Sequence, residues 1–247
     1  QGLVKRTSLG ELPGVTGHAF TLVKVNEGDR LVSVRLTDGK ADLLLATADG
    51  MAIRFAEEQV RPMGLVAAGV GGIKLQGRDE LVGMEMVPDG GEFLLVASDG
   101  KAKRVKENQF PTQGRYGLGV VAWKLPRTAQ LTGAIPIAPA TPKPRKSSGR
   151  QLADSLPSAS VATAMQLSDR VTVHLEKLAP KAIRVDEAPV QTRTAAGKPV
   201  IEVKTGDRAL RITTPWVAPN FTTDAPVPEK RTKKPAAKKS NPAVKKS

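Results

Sequence analysis

The property that most restricts this 247-residue chain is that it repeats itself. Written from successive turn glycines, it reads GLVKRTSLGELPG from Gly2, GMAIRFAEEQVRPMG from Gly50 and GKAKRVKENQFPTQG from Gly100. Gly50 and Gly100 lie 50 residues apart. The same offset relates Leu31, Leu81 and Leu131, then Lys24, Lys74 and Lys124, then Leu45 and Leu95. A fourth copy is disguised: Lys181-Ala182-Ile183-Arg184-Val185 follows the pattern of Lys101 to Val105. A period of this length marks stacked supersecondary units that bury their apolar faces against one another.

Within the second copy the local signals are all β. Met51, Ile53 and Phe55 alternate with Ala52 and Arg54, the period of a half-buried strand. Val70 to Leu75, Leu81 to Val87 and Phe93 to Ser98 are three further short runs. Asp99-Gly100 and Pro88-Asp89-Gly90-Gly91 punctuate them, and Asp-Gly between alternating runs predicts a tight hairpin whose turn needs positive φ. Four short strands per roughly 50 residues predict an all-β, propeller-like array of blades. We expect blades over residues 1–138, starting near Gly2, Gly50 and Gly100. A Pro/Ser/Lys-rich insertion follows over 139–168, a degenerate final blade over 169–217, and a disordered Lys-rich tail over 218–247.

Charge narrows the partners. Lys and Arg outnumber Asp and Glu by 38 to 24, a formal +14, which points to a polyanion: nucleic acid first, an anionic membrane surface second. The last twenty residues hold eight of these cations, but the blades carry cations in register too. Arg6, Arg54, Arg104 and Arg184 occupy one strand position, predicted to face outward, with Lys5 and Lys103 beside the first and third. Lys24, Lys74 and Lys124 form a second row. Cations at fixed spacing along a rim suit DNA phosphates, and an aromatic content of 3% argues against a single-strand binder, which needs stacking platforms. Cysteine is absent, and His18 and His174 lie far apart without ligand-spaced partners, so no metal or catalytic residue is predicted. The weakly apolar stretch 64–73 is too short to span a bilayer. Position 1 is Gln with no leader behind it, so the expectation is a cytoplasmic protein seen as a fragment or processed chain.

The segments DGMAIRF, VRPMGLVAAGVGGIKL and RDELVGMEMVPDGGEFLLVASDGKAKRV resemble the C-terminal β-pinwheel of the DNA gyrase A protein and its topoisomerase IV counterpart. The resemblance implies a ring or spiral of blades that binds and bends duplex DNA, in the cytoplasm at the nucleoid. It also implies a B subunit bearing the ATPase and a second copy of the A protein, with ATP and Mg²⁺ used outside this segment. Gyrase A proteins carry a heptapeptide, Gln-Arg-Arg-Gly-Gly-x-Gly, in a blade loop. Gln113-Gly114-Arg115-Tyr116-Gly117-Leu118-Gly119 keeps its Gln, its second Arg and two glycines, which makes Gln113 and Arg115 candidate DNA contacts. The departures leave gyrase and topoisomerase IV both open. Tyr116 follows an arginine, as the family's nucleophile does, but sits in a glycine loop without an acidic metal cluster, so we expect no catalysis from it. The rival reading is a propeller-like protein-interaction scaffold with a basic tail.

Overall fold

Asp49-Gly50 and Asp99-Gly100 close hairpins, whereas Asp89-Gly90, also expected to, crosses instead from one sheet to the next. In the computed structural model, which describes residues 1–14, 17–139 and 169–214, β2 (Asp42–Thr47) turns through Asp49-Gly50 into β3 (Met51–Ala56). Fifty residues on, β6 (Glu92–Ala97) turns through Asp99-Gly100 into β7 (Lys101–Lys106). Gly50 and Gly100 both have φ of +82°, which a side chain resists. A third strand then returns to the far side of each hairpin: β5 (Leu81–Met86) pairs with β2, and β9 (Leu131–Ile137) with β6. The final copy repeats the plan with β10 (Arg170–Leu175), β11 (Lys181–Arg184) and β13 (Ala209–Thr213).

The fourth strand of a blade comes from the next repeat. The two-residue β8 (Val120–Val121) pairs with β3, β12 (Lys198–Pro199) pairs with β7, and β4 (Val70–Gly71) pairs with β1 (Leu3–Val4). The sheets therefore run β5-β2-β3-β8 and β9-β6-β7-β12. One 50-residue repeat is thus not one blade: the run at Val70–Leu75 serves the preceding one. The turn glycines are where the incoming strand docks. The Gly50 carbonyl accepts from the N–H groups of Ala122 and Trp123 at 2.8 and 3.0 Å, and the Gly100 carbonyl from Val200 and Ile201 at 3.1 and 3.2 Å. A Cβ on Gly50 would lie 2.3 Å from the Trp123 carbonyl oxygen, so only glycine admits this approach.

Blades are buried on both faces. Leu43 and Leu45 of β2 enter one core cluster with Val4, Ile53 and Phe55, while Leu44 and Ala46 enter the next with Phe93, Leu95 and Trp123. Leu94 and Val96 of β6 then face a third, with Val171, Val173 and Ile183. That is why 43–46 and 93–97 read as continuous apolar runs rather than alternating ones. Phe93 and Phe110 meet edge to face, centroids 5.7 Å apart.

The first copy departs from the expectation set by Leu31. Residues 31–36, the counterpart of β5 and β9, form no strand, and Leu31, Val34 and Leu36 are exposed. The described residues give them no counterpart of β2 to pair with. The segment is instead held side-on to β5: Ser33 donates to the Met84 carbonyl, and Arg35 pairs with the buried Glu85. The predicted insertion and tail fall almost wholly outside the described residues.

Candidate nucleic-acid interface

Between each hairpin and the strand lent to the preceding blade runs a strap, and the recurrent arginines hold it. The carbonyls of Arg6, Arg54 and Arg104 each accept from a strap N–H (Met63, Gln113 and Gln191), every one at 2.8 Å. Their side chains leave the face that carries Ile53 and Phe55, as the alternation predicts, but they do not reach a free rim. Arg54 pairs with Asp42 and Glu107 and also donates to the Phe110 carbonyl. Arg104 pairs with Glu92 and donates to the Ala188 carbonyl. Arg6 donates to the Gly39 carbonyl and leaves its Nε buried without a hydrogen-bond partner. Exposed Arg184 is paired to Asp186. Arg54 and Arg104 staple the strap from inside, and three of the four arginines are already neutralised by carboxylates.

Lys5 and Lys103 lie further inside. Lys103 is fully buried, its ammonium donating to the carbonyls of Thr192, Arg193 and Ala195 and sitting 4.8 Å from the centre of the Trp123 ring. Burial, reinforced by Arg193, pushes this ammonium down to about 8. Lys5 does the same to an earlier strap, donating to the carbonyls of Leu22 and Leu65, and burial lowers it too. A side chain locked in this way does not grip phosphate, so the predicted role of Lys103 as a DNA contact gives way to that of a strap anchor. The signal was in the repeat: the position reads Lys5, Ile53, Lys103, Ile183, and Ile53 faces the core.

The second row answers differently. Lys24, Lys74 and Lys124 are all exposed, with no side-chain hydrogen bond or ion pair among the described residues, and recur in the first three copies, while the fourth has Glu202 there. Lys74 is tied by its backbone N–H to the Gly117 carbonyl at 2.9 Å, which sets it beside the glycine-rich loop. Exposed Arg61 and Lys106 belong with these free cations; each occurs in one copy only, so a search by repeat passes over them.

The loop itself is built from within. Arg115 donates through Nε to the Gln59 carbonyl and through Nη1 to the Gly71 carbonyl, and its N–H donates to the Gln59 side chain. Arg193 repeats the scheme on Gln109 and the Val121 carbonyl. Gln59 and Gln109, which repeat reasoning on the sequence passed over, lie 50 residues apart and were findable by the same offset. Gln113 enters the scheme through its backbone: its N–H serves the Arg54 carbonyl, and its own carbonyl accepts from the Gln59 side chain at 3.4 Å.

With this geometry in place, comparison with known proteins is direct. A family described as the DNA gyrase C-terminal domain, beta-propeller, matches residues 1–38, 41–88, 91–138 and 183–212, more than half of the chain. The chain belongs to this family. Among curated relatives, the gyrase A protein of Staphylococcus epidermidis is 43% identical over 76 residues, 31% of this chain and 8% of that protein. Its counterpart from Salmonella typhimurium is likewise 43% identical over 76 residues, 31% of this chain and 9% of that one. The chain therefore matches less than a tenth of the length of these relatives. The solved C-terminal domain of DNA topoisomerase IV superposes with a TM-score of 0.70 at 23% identity, covering 86% of this chain and 58% of that one. The DNA gyrase A C-terminal domain gives 0.61 at 17%, covering 78% and 57%. These likenesses establish the blade architecture.

Proposed function

We propose that this chain is the duplex-DNA-binding and bending module of a type IIA topoisomerase A protein, of the gyrase or topoisomerase IV kind. The observation that carries it is the row Lys24, Lys74 and Lys124: one exposed, unpaired cation in each of the first three copies. Phosphate contacts of this sort release counterions and carry no base information. In the parent assembly a B subunit would supply the ATPase and a second copy of the A protein would complete the enzyme, acting at the nucleoid. ATP and Mg²⁺, which the family resemblance implies for that assembly, would act outside this segment.

The test is a salt titration of duplex binding. Replacing Lys24, Lys74 and Lys124 together by Gln should reduce the slope of log affinity against log salt by about 3. Arg54→Gln should leave that slope unchanged, because its charge is already paired. Failure of the unmodified chain to bind duplex DNA would sink the proposal in favour of a protein-interaction scaffold.

A further inference from the structure

The loop at Gln113–Gly119 holds the single residue other than glycine among those described with positive φ. Tyr116 sits at φ 65°, a conformation that disfavours a bulky side chain, and yet the residue is 55% exposed. The backbone is held there from several sides. The Tyr116 N–H donates to the Gly72 carbonyl at 2.6 Å, Arg115 bonds the Gly71 carbonyl, and Lys74 bonds the Gly117 carbonyl. One side of the ring lies on Gly71, where an added Cβ would come within 2.1 Å of a ring carbon. The pairing of a large residue with a glycine seat is particular to this loop. In the next strap the same two positions hold Thr194 and Val121, with Arg193 on the Val121 carbonyl. Strain that the surroundings hold in place, around a side chain left largely in solvent, is the pattern of a functional contact rather than of packing.

We propose that Tyr116 is a wedge for bent duplex DNA, its outward side entering the helix at a deformable base step while neighbouring cations hold the backbone. The inference rests on the DNA-binding reading. Lys74, exposed and bonded through its backbone to Gly117, and the Nη2 of Arg115, which its two internal bonds leave unused, put positive charge on the residues adjoining Tyr116, which suits phosphate. Leu118, also exposed, adds apolar surface two residues on. Apolar side chains that enter between base steps partly unstack them and kink the duplex, most readily at pyrimidine–purine steps.

The experiment uses the full chain and duplexes carrying 2-aminopurine at a single TA step, with donor and acceptor dyes at the ends. Tyr116→Gly removes the ring and suits the positive φ, so it keeps the loop folded; Tyr116→Phe keeps the ring. The unmodified chain and Tyr116→Phe should raise 2-aminopurine fluorescence and shorten the end-to-end distance. Tyr116→Gly should bind with less than about a tenfold loss, because the unstacking cost disappears with the contact, yet give no fluorescence rise and a smaller bend. If Tyr116→Gly binds, bends and unstacks like the unmodified chain, the wedge is wrong and the DNA-binding reading survives. If the unmodified chain binds no duplex, or the loop captures only protein, both fall.

Discussion

Lys103 shows how this fold uses a charge it has buried. A lysine ammonium in a core is costly, and here three strap carbonyls and the face of Trp123 stand in for water. Burial holds it at about 8, below the usual 10.5, so the folded protein gives up this proton more readily than the unfolded chain does. The associated stability is therefore fully present above pH 10.5 and is lost as pH falls through 8. A gap of this size corresponds to about 3 kcal/mol at most. Urea unfolding of the native chain and of Lys103→Met, compared from pH 7.5 to 10.5, should show the native chain gaining on the variant as pH rises. Parallel profiles would show that the three carbonyls offset burial and keep the ammonium near its ordinary value.

At the scale of the element, the joint between blades rests on the turn glycines. Gly100→Ala would place a methyl 2.3 Å from the Ile201 carbonyl oxygen in a backbone that already resists it, and should cost more than about 3 kcal/mol by opening the β7–β12 pairing. Gly90→Ala, at φ 65° with open space around it, should cost only about 1 kcal/mol, and chemical denaturation of the two variants separates steric exclusion from backbone preference. Arg54→Gln should cost about 1–3 kcal/mol by orphaning Asp42 and Glu107, with no change in the salt dependence of DNA binding. Hairpins such as β2–β3 were legible in the sequence because Asp-Gly and period-two alternation act over neighbouring residues. The lending of β4, β8 and β12 was not: two residues carry no periodicity, and their partners lie some fifty or more residues away. The Arg54 row was legible as a row but not in its destination. Alternation says that a side chain leaves the Ile53 face, and in a sheet covered on both sides the other face is a joint, not solvent. Lys24, Lys74 and Lys124, by contrast, lie beyond the strand ends, where the covered faces of the sheets do not reach, and are exposed.

For the whole molecule, the division of charge matters more than its sum. Of the formal +14, the Lys-rich segment 228–247, which the described residues do not include, holds half: eight cations against the single Glu229. If six to ten phosphates are contacted, duplex affinity should fall by roughly 10³ to 10⁵ between 50 and 200 mM salt. Deleting 228–247 should weaken binding while sparing the bend, because bending needs charges fixed on a rigid body. Loss of the bend with the tail would contradict a role for the blade cations. The lending of strands also has a consequence for biosynthesis. The free edge of β3 is complete at Ala56, but the strand that covers it, β8, is reached about 65 residues later. At roughly 5–20 residues per second, a ribosome leaves that edge unpaired for about 3 to 13 seconds, and the edge of β7, whose cover β12 comes about 93 residues after Lys106, for about 5 to 19 seconds. During that interval each nascent hairpin can pair with a neighbouring chain on the same message, so the rate of elongation through the straps helps decide whether the blades join within one molecule or between two.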